Sequence, residues 1–247
     1  MTGSILSTSG LVAGYEPDLP IVHGIDFSVA SGELVVLLGP NGAGKSTFVK
    51  AIAGLVPIHA GTMLLNGRDI THVAPHRKVA EGLAFVPQTE NVFATMTILE
   101  NLQIAVAHLP KAKRAAAIEA LFARFPDLAA RPSRLAGALS GGQRQMLAVA
   151  RALALDPPVI ILDEPSAGLS PKIVSEVFEM LKAINASGVT VLLVEQNVKA
   201  ALAIASRAVI LAEGRIAHEG LPQDLASDPL VGKIYLGTAH DHQKAPA

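Results

Sequence analysis

The chain of 247 residues has no cysteine and no tryptophan, and aromatic residues make up only 4% of it. Without thiols there are no disulfides and no thiolate metal centres, which fits a reducing compartment. Charge of one sign is also lacking: 20 Lys and Arg stand against 21 Asp and Glu, a net charge of −1. Proteins that grip nucleic acid or anionic lipid by bulk charge are strongly basic, so no nucleic acid is expected as a partner. Long apolar runs are missing as well. The run from Ala200 to Ala212 is short and broken by Arg207, and Val159–Leu162 ends in two carboxylates. Neither reaches the roughly 20 residues of a spanning helix. Met1 to Gly10 shows no basic segment followed by an apolar one, the pattern of a secretory leader. A soluble chain is expected, anchored by something else if it works at a membrane.

What is there is aliphatic. Half of the residues are apolar and only 17% are charged, a composition that packs a core and suits buried parallel strands. Leu34–Leu38, Leu83–Val86, Val159–Leu162 and Val189–Val194 are short apolar runs that read as buried strands. Met63–Leu65 before Asn66-Gly67, and Ala208–Leu211 with Arg215–Glu219 around Glu213-Gly214, read as hairpins. From Thr97 to about Leu155 the pattern turns helical. Thr97 with Glu100 three residues on forms a capping box, and Ala115–Phe125 and Gly142–Leu153 continue as helices, while a further helical stretch, Pro171–Asn185, separates the runs Val159–Leu162 and Val189–Val194. Residues 1–237 are thus expected to form one α/β domain, with core segments 1–88 and 157–237 around a helical subdomain at 89–156. A polar tail follows at 238–247. His72 and His76 share a spacing that could serve zinc, but Pro75 between them and the lack of a third ligand argue against it.

Gly39-Pro40-Asn41-Gly42-Ala43-Gly44-Lys45-Ser46, with Thr47 following, is a G-x-x-x-x-G-K-S loop after a strand and before a helix. Its glycines let backbone N–H groups curl toward phosphate oxygens, Lys45 adds positive charge, and Ser46 offers a hydroxyl to Mg²⁺. The strand Val159–Leu162 delivers Asp163 and Glu164 at its carboxyl end, where open α/β sheets bind ligands. Asp163 suits Mg²⁺, and Glu164 suits the orientation of an attacking water.

Leu139-Ser140-Gly141-Gly142-Gln143 resembles the LSGGQ signature of ABC (ATP-binding cassette) ATPases. The likeness runs from about Leu11 to Gly237. It implies a P-loop core of the ABC ATPase type with an inserted helical subdomain and an antiparallel β portion, using ATP and Mg²⁺. By resemblance, Tyr15 stacks on adenine and Gln88 is the glutamine that touches Mg²⁺ and reports to a transmembrane partner. Ser140, Gly141, Gly142 and Gln143 meet the γ-phosphate held by an opposing cassette. The resemblance also implies transmembrane permease subunits and a second ABC ATPase subunit as partners. A solute-binding protein would act indirectly, and the chain would sit at the cytoplasmic face of the membrane.

Two positions depart from the family pattern. Ala167-Gly168-Leu169-Ser170 ends in serine where most members carry Asp, and Gln196 stands where they carry the switch histidine. An amide donates a neutral hydrogen bond without charge, a difference of about 1–1.5 kcal/mol or roughly tenfold in rate, so a slower catalytic set of Lys45, Glu164 and Gln196 is expected. With the late stretch Ile234-Tyr235-Leu236-Gly237, these segments resemble the second ATPase of branched-chain amino acid importers. A regulatory half of a cassette pair, or a cassette working outside transport, are the alternatives.

Overall fold

A computed structural model describes residues 3–227. The stretch 234–237 and the tail 238–247 lie outside the described residues. The first part of the chain contains β1 (Ser4–Ala13), β2 (Val22–Ala30), β3 (Leu34–Leu38), α1 (Lys45–Ala53), β4 (Ile58–Leu65) and β5 (Arg68–Asp69). Next come α2 (Pro75–Lys78) and β6 (Leu83–Val86), followed by four α-helices without an intervening strand. These are α3 (Ile98–Ala105), α4 (Lys111–Arg124), α5 (Pro126–Ala129) and α6 (Gly141–Ala152). Strand and helix then alternate through β7 (Val159–Asp163), α7 (Pro171–Ala186), β8 (Thr190–Val194), α8 (Val198–Leu202) and β9 (Arg207–Ala212). The described chain closes with β10 (Arg215–Gly220) and α9 (Pro222–Ser227).

The strands form two sheets. One is antiparallel, in the order β2-β1-β4-β5; the other runs β10-β9-β3-β8-β7-β6. In the second, β9, β3, β8, β7 and β6 are parallel, and only the edge strand β10 pairs antiparallel. The runs Leu34–Leu38 and Leu83–Val86 are strands with those same bounds, and β7 extends the third run by Asp163.

Successive residues of a strand face opposite sides, so a sheet covered on both faces must be apolar throughout. That is the case here. Val36, Ile160, Leu162, Val191 and Leu193 pack into the core shared with α3, α6 and α7, while Val35, Leu37, Val159, Ile161, Leu192 and Val194 face α1 and the antiparallel sheet. Arg207 ties the sheets together at one corner. Its Nε donates to Glu33 Oε1 at 2.7 Å, its Nη1 to Glu219 Oε1 at 2.7 Å, and its guanidinium lies 5.9 Å from the centroid of the Phe27 ring.

The local signals act as their chemistry directs. Asn66 and Gly67, both at positive φ, turn β4 into β5, and Glu213-Gly214 does the same between β9 and β10. The Thr97 hydroxyl accepts from the Glu100 N–H while the Glu100 carboxylate accepts from the Thr97 N–H, which completes the capping box of α3. Asn101, fully buried, folds the loop before α3. Its carbonyl accepts from Phe93 N–H at 2.9 Å, and its amide donates to Phe93 O at 3.0 Å and Thr97 O at 2.9 Å. Helix α1 starts at Lys45, directly after Gly44, which serves as its N-cap at φ 94°.

Candidate functional site

Parallel neighbours bring distant segments together at their carboxyl ends. In the order β3, β8, β7, β6 these ends deliver the loop Gly39–Lys45, then Glu195-Gln196, then Asp163-Glu164, then Gln88. With strands about 4.8 Å apart, side chains from adjacent ends are within direct reach of one another.

The loop is shaped by close backbone approach. At Gly39 φ is 149° and a Cβ would stand 2.2 Å from Leu211 O, so no other residue fits without moving β9. Ala43 N–H donates to Pro40 O at 3.2 Å, and Ala43 O accepts from Gly214 N–H at 3.0 Å, which pins the loop to the β9–β10 turn. Asn41 and Gly42 lie at the tip, with Asn41 exposed, and Thr47 is buried in the first turn of α1. Lys45 is buried too, and its Nζ donates to Gly39 O at 2.8 Å and Pro40 O at 3.0 Å. Burial lowers its pKa from the ordinary lysine value, and the Glu164 and Asp163 carboxylates oppose that shift.

Ser46 Oγ donates to Asp163 Oδ1 at 2.9 Å, while the buried Asp163 Oδ2 has no hydrogen-bond partner. A buried carboxylate oxygen left open beside a hydroxyl is a donor set that fits a hard divalent cation. Burial raises the Asp163 pKa, and the Ser46 hydrogen bond works the other way.

Glu164 follows at φ 49°, a left-handed conformation costing of order 1–3 kcal/mol in a residue with a side chain. Its N–H donates to Val194 O at 2.9 Å, and two amides hold its carboxylate. Gln88 Nε2 donates to Oε2 at 2.9 Å, and Gln196 Nε2 donates to Oε1 at 2.9 Å and Oε2 at 2.8 Å. Each carboxylate oxygen can accept about two hydrogen bonds. Oε2 is therefore filled, and Oε1 keeps one lone pair.

Ser140 sits elsewhere, as N-cap of α6. Its hydroxyl accepts from Gln143 N–H and its own N–H donates to Gln143 Oε1, so residues 140 and 143 form a second capping box. Ser140–Gln143 stand at the start of α6, whereas the loop Gly39–Ser46 lies between β3 and the first turn of α1. A cleft of about 480 Å³ separates Gln88 and Glu164 from Gly141 and Arg144 at the start of α6. Gly142 packs flat on α7, where a Cβ would come within 2.5 Å of Ile173 Cγ2. Tyr15, in the loop after β1, is 59% exposed. Ser170 is the N-cap of α7, ahead of Pro171. Its side chain makes no capping hydrogen bond, so the helix start rests on Pro171 at its first position rather than on the residue that replaces the usual Asp.

Glu195 was not singled out by the sequence. It is 1% exposed and accepts from Ser166 N–H at 3.1 Å, Ser166 Oγ at 2.8 Å and Gln196 N–H at 3.1 Å. The one available signal was a carboxylate that directly continues the apolar run Val189–Val194.

The α/β sheet with a glycine-rich phosphate loop at its carboxyl edge defines a nucleotide-binding protein of the P-loop class. Comparison with known proteins narrows this. Residues 22–167 match the family model described as ABC transporter. The chain is 43% identical over 234 residues to the probable branched-chain amino acid transport ATP-binding protein LivF of Archaeoglobus fulgidus, covering 94% of this chain and 99% of that one. It is also 38% identical over 219 residues to the lipopolysaccharide export system ATP-binding protein LptB of Acidithiobacillus ferridurans, covering 88% and 90% of the two chains. Among solved structures, the ADP conformation of MJ1267, an ATP-binding cassette of an ABC transporter, superposes with a TM-score of 0.85 at 30% identity. That match covers 96% of this chain and 100% of the other. The chain belongs to the ATP-binding subunits of ABC transporters, which hydrolyse ATP and work with transmembrane permease components. Among the described residues no helix is long and apolar enough to cross a membrane.

Proposed function

We propose that this chain is the ATP-hydrolysing subunit of an importer for branched-chain or related amino acids. The observation that carries the proposal is the end-to-end likeness to the LivF protein, at 43% identity over nearly the full length of both chains. A second relative, the high-affinity branched-chain amino acid transport ATP-binding protein BraG of Pseudomonas aeruginosa, supports the same solute class at 36% identity. The lipopolysaccharide-export relative shares the cassette at 38% identity, below the 43% to the LivF protein.

In this account the backbone N–H groups of Gly39–Gly44 and the Lys45 ammonium hold the β- and γ-phosphates of ATP. The exposed Tyr15 stacks on the adenine. Ser46, Asp163 and Gln88 are the residues that would hold Mg²⁺, which supplies charge neutralisation at the phosphates when bound. Glu164 takes the proton-accepting role, with Oε1 as the oxygen that still has a lone pair for a water. Gln88 and Gln196 keep its carboxylate aimed. Ser140, Gly141, Gly142 and Gln143 serve the γ-phosphate of an opposing cassette, through a helix N-terminus that favours anions. Residues 89–156 form the unit that, together with Gln88, passes the movement to permease subunits at the cytoplasmic face of the membrane. A solute-binding protein feeds the other side.

A second reading has this chain as the slow, regulatory half of a pair of unlike cassettes. Gln196 favours it, because a neutral amide takes the place of a charged donor. One experiment bears on both readings: light scattering of purified Glu164→Gln with and without MgATP. An ATP-dependent homodimer shows that the chain completes both composite sites itself. A monomer that binds ATP shows that the opposing signature comes from a different subunit, and loss of ATP binding refutes the assignment of the loop.

A further inference from the structure

Segments 164–166 and 194–197 are joined by more than the Glu164 clamp. The Val194 carbonyl accepts from Glu164 N–H, and the next residue along, Glu195, turns a carboxylate back into the interior. Oε1 of Glu195 accepts from Ser166 N–H at 3.1 Å. Oε2 accepts from Ser166 Oγ at 2.8 Å, Gln196 N–H at 3.1 Å and Asn197 N–H at 3.5 Å. Among the described residues no cation pairs with it. An anion this deep is tolerated only when fixed dipoles surround it, and here those dipoles come from both loops. The cycle closes through Gln196, whose backbone bonds Glu195 while its side chain bonds Glu164.

We infer that Glu195 is a positioning residue for ATP hydrolysis, locking the Ser166 loop to the Gln196 loop and so setting where the Gln196 amide meets Glu164. The inference rests on the proposed roles of Glu164 and Gln196. A glutamine at 195 has the same shape but keeps only one acceptor oxygen, and its NH₂ group would face N–H donors. The register of Gln196 against Glu164 then loosens, while the phosphate loop, on another strand, is left alone.

The test is a double-mutant cycle on the full chain with Glu195→Gln, Gln196→Ala and the double variant, read as ATP turnover and nucleotide affinity. Glu195→Gln is expected to lower kcat about tenfold with ATP affinity within about twofold, and to change kcat by less than about twofold when Gln196 is already Ala. An equal loss in both backgrounds means Glu195 only holds the fold, and overturns the inference. Ser166→Ala, which removes one donor, is expected to cost about threefold in kcat and serves if Glu195→Gln folds poorly. Hydrogen exchange provides an arm that needs no turnover. The Ser166 and Gln196 amides should exchange at least about tenfold faster in Glu195→Gln, with the amides of residues 42–46 unchanged. Equal exchange overturns the lock. A wild-type chain that binds no ATP would refute the ATPase reading instead, and the exchange arm would still decide on Glu195.

Discussion

Replacing Lys78 by methionine removes a titratable group from the interior while keeping most of its stem volume. Lys78 closes α2, is 1% exposed, and donates from Nζ to the Ile52 carbonyl at 2.8 Å. That carbonyl belongs to the last turn of α1, where carbonyls lack a helical partner and positive charge is favoured. Burial nevertheless dominates and lowers the Lys78 pKa from 10.5 to about 8. A lysine with a lowered folded-state pKa is protonated less readily in the folded chain than in the unfolded one. Stability from this group is therefore present above pH 10.5 and is lost as the pH falls through about 8. The gap corresponds to about 3 kcal/mol in full, of which about 2–3 kcal/mol falls between pH 7 and pH 10. Urea unfolding of wild type and Lys78→Met at pH 7, 8.5 and 10 isolates the term, since all other groups titrate in both. Wild type should gain about 2–3 kcal/mol on the variant over that range. A difference that stays flat with pH would refute the reasoning.

Gln196→His restores a donor that can carry charge and should raise ATP turnover about tenfold; unchanged or slower turnover would mean that the amide is not limiting. Asn101→Leu fills the same space but leaves the Phe93 N–H without its acceptor. It should cost about 2–4 kcal/mol and lower Tm by about 5–10 °C in a thermal melt.

Much of the central sheet could be read in advance because its strands are covered on both faces. A strand such as Leu34–Leu38 is then a plain apolar run, and its bounds appear in the letters themselves. Strands β1 and β2 gave no such run. Both are covered unevenly, and their alternation is interrupted where the register slips between Thr8 and Leu11 and where Gly24 adopts φ 69°. The α3 capping box was visible because its partners are three residues apart. The phosphate loop and the Asp163-Glu164 pair were legible for a similar reason, as each is one contiguous segment after a strand. The clamp on Glu164 was not. Gln88 lies 76 residues from Glu164 and Gln196 lies 32 away, and only the neighbouring positions of β6, β7 and β8 bring them into contact. Lys78 and Glu195 carry no such mark, because a lone charge in a sequence ordinarily means surface and nothing local distinguishes the rare one that is buried.

The central claim is that Glu164 accepts the proton of the water that attacks ATP. Its most direct test compares steady-state ATP turnover and ATP affinity in wild type and Glu164→Gln. The account predicts turnover lower by about 100-fold or more with affinity within about twofold, as expected for losing a general base. A glutamine variant that binds ATP and turns it over at the wild-type rate would contradict it.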